Sequence, residues 1–491
     1  MCFECCIRTG LPEPFLHQLF IPKHHNFPLI PSMPRLLLIN PWITDFAAYD
    51  LWLKPLGLLY IGAYLRAAGY EIDLIDCMDR NHPSVSGLMK PGDSKPDGRG
   101  KFYKTELPKP ESLHHIPRRW GRYGIPEKAF VEELSRREKP DAVLVTSVMT
   151  YWYPGVQMAI SRIKSQWPEV PVILGGNYAT LCPDHARQTS GADVVITGYG
   201  EKIVLDVLQN RLGLHTGFSA ALPEFLNGEY PLPWDLYPKL DYAIILSARG
   251  CPYTCSFCAT HILNPRFIQR PYHDVFEEIK TLHETRGVRH FAFYDDALFI
   301  NQHKHIEPLL DLIIASGLDL NFHCPNGLFA KLIDQNLAEL MVTAGFKTIR
   351  LSLESANEAQ RRRMSFKVSN AGYILALDNL ETAGFPRHQV ETYVIMGLPD
   401  QSPEEVRDTI EFVHDHGARV SLASFTPIPG TRDWQVAVEK HSLDPNIDPL
   451  LLNNTIYPLK NNLFSEAIFN DLRAYAKRGN ERVKASTASA E

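Results

Sequence analysis

Alternation between short apolar runs and helix-patterned segments constrains the fold of this 491-residue chain more than any other feature. It begins at residues 35–40 and recurs to about residue 215. Continuously apolar runs that alternate with helices are typical of a parallel sheet covered by helices on both faces. The pattern therefore predicts an α/β domain with an open, doubly wound, Rossmann-like sheet over residues 34–215. The predicted strands are "RLLLIN", "EIDLID", "DAVLVTS", "PVILGG" and "DVVITG".

A second block of the same alternation begins near Asp241, after a Pro-rich stretch at residues 216–240 that we interpret as a linker. A full parallel barrel needs eight strand-then-helix units, whereas this block contains six. The block therefore predicts a partial (β/α)6 barrel over residues 241–433. Its predicted strands are "YAIILSA", "HFAFYDD", "LNFHCP", "TIRLSLE", "VETYVIMG" and "RVSLASFTP".

Three segments lack this alternation. Residues 1–33 are rich in Pro and His without periodicity, and we predict that they form a flexible extension. Residues 80–127 are polar and too long for a simple connection, so they form an insertion within the first domain. Residues 434–491 are predicted to be a short, mostly helical C-terminal region.

The composition is that of a soluble globular protein, with 45% apolar residues, 22% charged residues and a formal net charge of −6. No apolar run reaches the roughly 18 residues of a membrane helix, so we expect a cytoplasmic protein without a membrane partner. The basic runs at residues 117–122 and 361–363 are short; we interpret them as solvated faces and expect no nucleic-acid partner. Nine cysteines, an odd number, argue against a disulfide framework. We expect the single Cys77, Cys182 and Cys324 to be buried packing residues.

The stretch "SARGCPYTCSFCATH" places three cysteines in the loop after the first barrel strand, where the chemistry of parallel barrels collects. Cys255, Cys258 and His261 have a spacing that zinc ligands also use. Cys251, Cys255 and Cys258 equally suit a 4Fe–4S cluster that is held through three irons, with the fourth iron open to another ligand. The spacing favours the cluster and leaves zinc as the alternative.

Small residues follow the predicted strands of the first domain. Ligands of open α/β sheets bind beyond the carboxyl ends of the strands, and small residues there let a large flat ligand approach the backbone. Simple turn formation is the alternative. A dinucleotide is not expected, because no G-x-G-x-x-G follows the first strand. The candidate ligand-binding residues at these strand ends are Ser147, Gly175, Gly176, Thr197 and Gly198.

The C-x₃-C-x₂-C motif at the end of a first barrel strand resembles the radical S-adenosylmethionine (radical-SAM) superfamily. Four later strand ends agree with that resemblance: "FYDDALF", "LSLESA", "YVIMGLPDQSPEE" and "FTPIPGT". The resemblance implies that Cys251, Cys255 and Cys258 hold a 4Fe–4S cluster whose open iron binds S-adenosylmethionine. Reductive cleavage would then give a 5′-deoxyadenosyl radical. The electron would come from an external donor such as ferredoxin or flavodoxin.

The same resemblance implies the binding residues for S-adenosylmethionine. Asp295 or Asp296 would receive the methionine ammonium, because a carboxylate accepts charge-assisted hydrogen bonds. Lys367 could reach the methionine carboxylate, although a solvated lysine is the interpretation we favour. The remaining candidates surround the ribose and the adenine: Phe257, Ser352, Glu354, Ile395 and Gly397.

A barrel preceded by a doubly wound domain resembles the cobalamin-binding subgroup of this superfamily, and "VILGGNYAT" and "DVVITGYGE" are similar to its N-terminal segments. That resemblance implies a corrin between the domains and methylation of an unactivated carbon in a small molecule or peptide. The D-x-H-x-x-G motif that supplies a cobalt-ligating histidine does not follow the first strand. Two alternatives stay open: a radical cyclase, oxidoreductase or rearrangement enzyme without methyl transfer, and a metal-stabilised regulatory scaffold without turnover.

Overall fold

The computed structural model describes residues 33–217, 231–459 and 463–488. The predicted extension at residues 1–32 and the middle of the predicted linker, residues 218–230, lie outside the described residues. Within the described part of the chain, no helix has both the length and the apolar character that are needed to cross a membrane.

The first block folds into a parallel sheet with helices on both faces. Its elements in chain order are β1 (Arg35–Asn40), β2 (Ile43–Asp45), β3 (Tyr49–Asp50), α1 (Leu56–Ala67), β4 (Glu71–Asp76), β5 (Gly100–Lys101), β6 (Lys104–Glu106), β7 (Gly121–Tyr123), α2 (Glu127–Ser135), β8 (Ala142–Val145), α3 (Tyr153–Gln166), β9 (Val172–Leu174), α4 (Asn177–Leu181), α5 (Pro183–Thr189), β10 (Val194–Val195) and α6 (Gly200–Asp206).

The sheet has the strand order β10-β9-β8-β1-β4, and all its pairs are parallel. The chain moves from β1 to one neighbour, β4, and then to the other neighbour, β8. That reversal opens a crevice at the carboxyl ends of β1 and β8, which is where doubly wound sheets bind ligands. The sheet is buried on both faces because its strands are continuously apolar, as the sequence predicts.

The insertion is a packed part of the first domain. It supplies β6 and β7, which pair antiparallel with each other while β7 also pairs with β2, and it supplies β5, which pairs with β3. Its Trp120 is 3% exposed and its Phe102 is 4% exposed. A few large side chains therefore fix this segment, although most of its residues are polar.

The second block forms the barrel and the C-terminal helices. Its elements are β11 (Ala243–Ile245), β12 (Ala248–Arg249), α7 (Thr260–Leu263), β13 (Ile268–Gln269), α8 (Tyr272–Arg286), β14 (His290–Phe293), α9 (Ile306–Ser316), β15 (Asn321–His323), α10 (Gln335–Ala344), β16 (Phe346–Thr348), β17 (Arg350–Glu354), α11 (Glu358–Met364), α12 (Asn370–Thr382), β18 (Glu391–Met396), α13 (Pro403–Asp415), β19 (Arg419–Ser424), α14 (Arg432–His441) and α15 (Glu466–Ala488).

The barrel strands form an open arc with a break in the fourth strand. Strands β11-β14-β15-β16 pair in one parallel sheet and β17-β18-β19 pair in another. The fourth strand is interrupted at Ile349: β16 pairs with the third strand and β17 pairs with the fifth. The six predicted strands are all present, and the α/β class with a partial barrel is confirmed.

Two C-terminal segments pack against different parts of the molecule, one against the last barrel strand and one against the first domain. The side-chain amide of Asn480, in α15, donates to the carbonyl of Val420 at 2.8 Å and accepts from its N–H at 2.7 Å, which covers the edge strand β19. The segment before α15 reaches the first domain instead. There Asn453 donates to Asp45 at 2.9 Å, and Leu450 and Ile456 are buried in the core of the first domain.

Candidate active site

The cysteine loop begins with a backbone conformation that requires glycine. Gly250 has a φ of +82°, and a Cβ at this position would lie 2.4 Å from the carbonyl oxygen of Arg266. Cys251 and Cys258 are half-buried behind it, and Cys255 is 4% exposed. The three cysteines predicted as cluster ligands therefore lie on one fixed loop, at the carboxyl side of the first barrel strand.

Residues that follow the fourth and the sixth barrel strands hold this loop. The N–H of Ser256 donates to the carbonyl of Met364 at 3.0 Å, and its hydroxyl donates to Asp433 at 2.8 Å. The guanidinium of Arg432 donates to the carbonyl of Thr254 at 2.8 Å. The "FTPIPGT" segment, which the sequence assigns to the end of the sixth strand, thus leads directly into the residues that clamp the cysteine loop.

The three thiols do not form a closed tetrahedral site. Within the described residues, their sulfur atoms do not all lie within 4.8 Å of one another, whereas sulfurs around one tetrahedral zinc, each bound at about 2.3 Å, would lie about 3.8 Å apart.

Lys367 lies against the cysteines and is not the solvated residue that the sequence favours. Its ammonium is an electrostatic neighbour of the thiols of Cys255 and Cys251 and of the carboxyl of Glu354. Burial lowers the pKa of Lys367, but these neighbours outweigh it and leave that pKa above the usual value. Burial also raises the pKa of Cys251 to about 11, so a bound metal would have to displace its proton.

The two predicted aspartates have different environments. Asp295 is 4% exposed and accepts hydrogen bonds from the N–H of Ser247, its hydroxyl and the N–H of Ala248, at 2.6–3.1 Å. Burial raises its pKa to about 6. Because its oxygens are taken up in fixing the end of β11, Asp295 is placed as a structural residue. Asp296 is half-buried and is a neighbour of Thr260, which contacts Cys258.

Ser352 and Glu354 face the cysteines from β17. Ser352 lies beside Glu354 in one cleft, and burial raises the pKa of the Glu354 carboxyl. Glu354 has a φ of +67°, a conformation that costs a non-glycine residue free energy and that concentrates at functional sites. Cys255, Ser352, Glu354 and Lys367 line one small cleft.

The three apolar candidates divide between two places. Phe257 packs in the apolar cluster that contains Ile395, which is 6% exposed, and it lines the cleft beside Cys255. Gly397 lies further along the same turn with a φ of +88°, and a Cβ there would be 2.7 Å from the ring of Phe469. Gly397 therefore lets α15 approach the fifth strand.

A cavity of about 370 Å³ lies between the first domain and the barrel. One wall is the carboxyl edge of the first sheet, with Gly175, Gly176 and Gly198. The opposite wall comes from the barrel and includes Thr260 and Asp296, next to the cysteine loop. A row of glycines that faces a barrel rim suits the flat ring of a corrin, so the residues present fit that cofactor.

Two predicted ligand-binding residues are placed elsewhere. Ser147 is 3% exposed, and its hydroxyl donates to the carbonyl of Gly175 at 2.7 Å, so it supports the turn at Gly175 and Gly176. We call this turn and the one at Gly198 the glycine turns. Thr197 is half-buried between Ile196 and Gly198, which both line the cavity, and it is not among the described lining residues itself.

The cavity wall contains a buried ion pair that the sequence motifs do not indicate. The guanidinium of Arg249 forms an ion pair with the carboxylate of Glu201, with 2.8 Å between Nη1 and Oε1, and both side chains are 10% exposed. The guanidinium also lies over the rings of Tyr60 and Tyr199, 5.4 and 5.5 Å from their centroids. The pair joins α6 of the first domain to the residue two before Cys251. The closeness of Arg249 to the cysteine motif is the one feature of the sequence that could have indicated a role for it.

Comparison with known families agrees with both halves of the site. Residues 245–413 match the model of the radical SAM superfamily, and residues 123–208 match the model of the B12 binding domain. The first match begins in β11 and covers the cysteine loop and the strands through β18. The second covers β8, β9 and β10, which carry the glycine turns.

Curated relatives span most of the chain. An uncharacterised methyltransferase of Pyrococcus horikoshii, PH0819, is 27% identical over 345 residues, which cover 64% of this chain and 72% of that protein. The cytidylyl-2-hydroxyethylphosphonate methyltransferase of Streptomyces wedmorensis is 22% identical over 490 residues, with 87% of this chain and 85% of the relative covered.

A solved structure shares the two-domain fold. The radical S-adenosylmethionine methyltransferase TsrM of Kitasatospora setae, with cobalamin and a [4Fe-4S] cluster bound, superposes with a TM-score of 0.59. The match covers 84% of this chain and 76% of that chain at 15% sequence identity. At this identity the likeness shows the fold.

Proposed function

This chain belongs to the radical SAM superfamily and carries a B12-binding domain, and from that premise we propose that it is a cobalamin-dependent methyltransferase. Its substrate would be an unactivated carbon of a small molecule or peptide. An external one-electron donor, a ferredoxin or a flavodoxin, would reduce the cluster.

The observation that carries the proposal is the position of the interdomain cavity. Its sheet-side wall is built from glycine turns, and its barrel-side wall includes Thr260, whose N–H and hydroxyl lie 3.5 and 3.2 Å from the sulfur of Cys258. A corrin in this cavity and a cluster on the cysteine loop would therefore be neighbours. Methyl transfer to a substrate radical needs such an arrangement, whereas a purely structural metal site does not.

The residues of the chain would divide the work of holding S-adenosylmethionine and the cluster. Cys251, Cys255 and Cys258 would hold three irons. Asp296 supplies a carboxylate for the methionine ammonium, and Lys367 supplies an ammonium for the methionine carboxylate, both as charge-assisted hydrogen bonds. When bound, the cluster supplies the electron for reductive cleavage and the corrin supplies methyl-transfer chemistry.

Other groups would orient the nucleoside and exclude water. Glu354, which lies beside Ser352 in the cleft, can accept hydrogen bonds from ribose hydroxyls or from the ammonium. Phe257 and Ile395 form an apolar wall beside the cleft. An apolar wall keeps water from a reactive radical, and this exclusion is part of what the protein contributes to such chemistry.

Anaerobic reconstitution tests the proposal. The purified chain is loaded with iron and sulfide, given hydroxocobalamin, and incubated with S-adenosylmethionine and dithionite. We expect about four irons per chain, formation of 5′-deoxyadenosine, and formation of S-adenosylhomocysteine that depends on added cobalamin.

Each other outcome points to a different alternative. Formation of 5′-deoxyadenosine without S-adenosylhomocysteine at any cobalamin concentration would overturn methyl transfer and favour a radical cyclase, oxidoreductase or rearrangement enzyme. Failure to cleave S-adenosylmethionine at all, with zinc bound in place of iron, would favour the regulatory scaffold.

A further inference from the structure

The "RRR" run at residues 361–363 is not a uniform solvated face. Arg361 is 3% exposed, and its guanidinium donates to the carbonyl of Ser355 at 2.7 Å, so it is a structural residue of α11. Arg362 and Arg363 are exposed. The side chain of Arg362 is 70% exposed and pairs with Glu358 at 3.0 Å, one turn earlier in the helix. Two of the three positive charges therefore face solvent.

One of these charges lies against an exposed aromatic ring. Phe366 is 46% exposed, and the guanidinium of Arg362 lies 5.7 Å from its ring centroid. Arg432, which is also exposed, reaches the C-terminus of α11, where it donates to the carbonyl of Met364 at 3.2 Å. We call this surface the arginine patch; it consists of Arg362, Arg363, Phe366 and Arg432.

The patch adjoins the place where the cysteine loop reaches the surface. The carbonyl of Met364, between Arg363 and Phe366 in the chain, also accepts from the N–H of Ser256 at 3.0 Å. The next residue, Ser365, lines the same small cleft as Cys255. Within the loop itself, Pro252 and Thr254 are exposed. A protein that covers the patch would therefore lie against the outer side of the candidate cluster.

The charge of the patch contrasts with that of the chain, whose formal net charge is −6. The acidic groups in contact with the patch and its loop are Glu358, which pairs with Arg362, and the half-buried Asp433, which accepts from Ser256 and is a charged neighbour of Arg432. The patch thus has three guanidinium groups against two neighbouring carboxylates, which leaves it with a net positive charge. A local positive field on an acidic protein attracts an acidic partner to that surface. The negative charge elsewhere on the protein repels the same partner.

We propose that the arginine patch is the docking surface for a small acidic one-electron carrier protein of the flavodoxin type. The inference rests on the proposed function, because it requires a cluster on the cysteine loop. The carrier loses one electron and the cluster gains it, with no bond made or broken. Redox encounters use small interfaces, so an exposed ring with a charged rim is a sufficient surface.

The test compares two reductants on the reconstituted native protein and on the variant R362E/R363E. The measured quantity is the rate of 5′-deoxyadenosine formation from S-adenosylmethionine, driven either by reduced flavodoxin at limiting concentration or by dithionite. We expect the flavodoxin-driven rate of the variant to fall about tenfold or more, as electrostatic steering allows. The dithionite-driven rate should stay within about twofold, because a small inorganic reductant needs no docking surface.

The matched control is K128E/R136E, which makes the same change in net charge on α2. Lys128 and Arg136 are 90% and 68% exposed, and both contact Glu132 one turn away, as Arg362 contacts Glu358. This control should keep the native rate with both reductants. An equal fall in both double variants, or an unchanged flavodoxin-driven rate in R362E/R363E, would overturn the docking surface. Absence of dithionite-driven cleavage in the native protein would instead overturn the proposed function.

Discussion

At the scale of the residue, Cys255 is the most constrained ligand candidate of the cysteine loop. It is the most buried of the three, and Lys367 and Ser365 line the same cleft. A positive charge beside a thiolate stabilises the charged form. Lys367 therefore has two possible uses in the same place, since it can support the deprotonated Cys255 and can also bind a substrate carboxylate.

Replacing Cys255 by alanine should remove the cluster. We expect the iron content to fall and the cleavage of S-adenosylmethionine to drop by more than the roughly 10- to 100-fold that loss of an outer hydrogen-bond partner costs a metal site. Iron analysis and a 5′-deoxyadenosine assay measure both effects. Cys324→Ala is the control, because Cys324 is 1% exposed in the core and should keep both properties. Full activity in Cys255→Ala would disprove its role as a ligand.

Substitution of the two adjacent aspartates should affect different properties: one should weaken the binding of S-adenosylmethionine and the other should lower the stability of the fold. Asp296→Asn removes a charge-assisted hydrogen bond of roughly 1.5–3 kcal/mol, so the KM for S-adenosylmethionine should rise about tenfold or more with little change in Tm. Asp295→Asn should do the opposite, because the amide cannot accept all the hydrogen bonds that Ser247 and Ala248 donate. We expect a loss of roughly 2 kcal/mol and a lower Tm. A rise in KM confined to Asp295→Asn would reverse these assignments.

At the scale of the element, the ion pair between Arg249 and Glu201 connects α6 of the first domain to β12 of the barrel. Both groups are buried in the cavity wall. A buried pair adds little net stability, but removing one member leaves a charge with less compensation in a medium of low dielectric constant. The pair therefore fixes the relative position of the glycine turns and the cysteine loop.

Glu201→Gln should destabilise the junction of the two domains. We expect a loss of roughly 3 kcal/mol, because the charge of Arg249 stays buried without its carboxylate. Denaturant unfolding followed by tryptophan fluorescence gives the size of the effect. The exposed pair of Arg136 with Glu132 provides a comparison, since Glu132→Gln should change stability by less than about 1 kcal/mol. Equal effects at both sites would show that the buried pair has no special role.

The sequence predicts those elements whose pattern is local. "RLLLIN" and "EIDLID" are strands over their whole predicted length, since each carries its own apolar run and its own stop. The break at Ile349 and the positive φ of Glu354 could not be predicted, because they depend on pairing with strands that are distant in the chain. The burial of Asp295 has the same origin: both aspartates have the same local pattern, and only tertiary contacts distinguish them.

At the scale of the whole molecule, one apolar core runs through both domains. It includes Leu38 of β1, Tyr237 before the barrel, and Phe293 of β14. A shared core fixes one domain on the other better than a thin polar contact does. The shape of the cavity between them is therefore fixed by the fold. Its walls come from the sheets of both domains, and a cofactor held there would contact both domains.

Gly175 offers the most direct test of what that cavity holds. It lines the cavity, and a Cβ added to it would meet no atom within 4 Å, so a side chain can begin there without a clash. Gly175→Leu should therefore block a corrin while leaving the fold and the dithionite-driven cleavage of S-adenosylmethionine intact. Gly175→Ala is the matched control, since one methyl group fills little of the space.

The measurement is a hydroxocobalamin titration of the native protein and of both variants, followed by tryptophan fluorescence. We predict saturable binding by the native chain and by Gly175→Ala, and an affinity at least about tenfold weaker in Gly175→Leu, which corresponds to roughly 1.4 kcal/mol. Equal affinity in Gly175→Leu, or no binding by the native chain, would contradict the placement of cobalamin between the two domains.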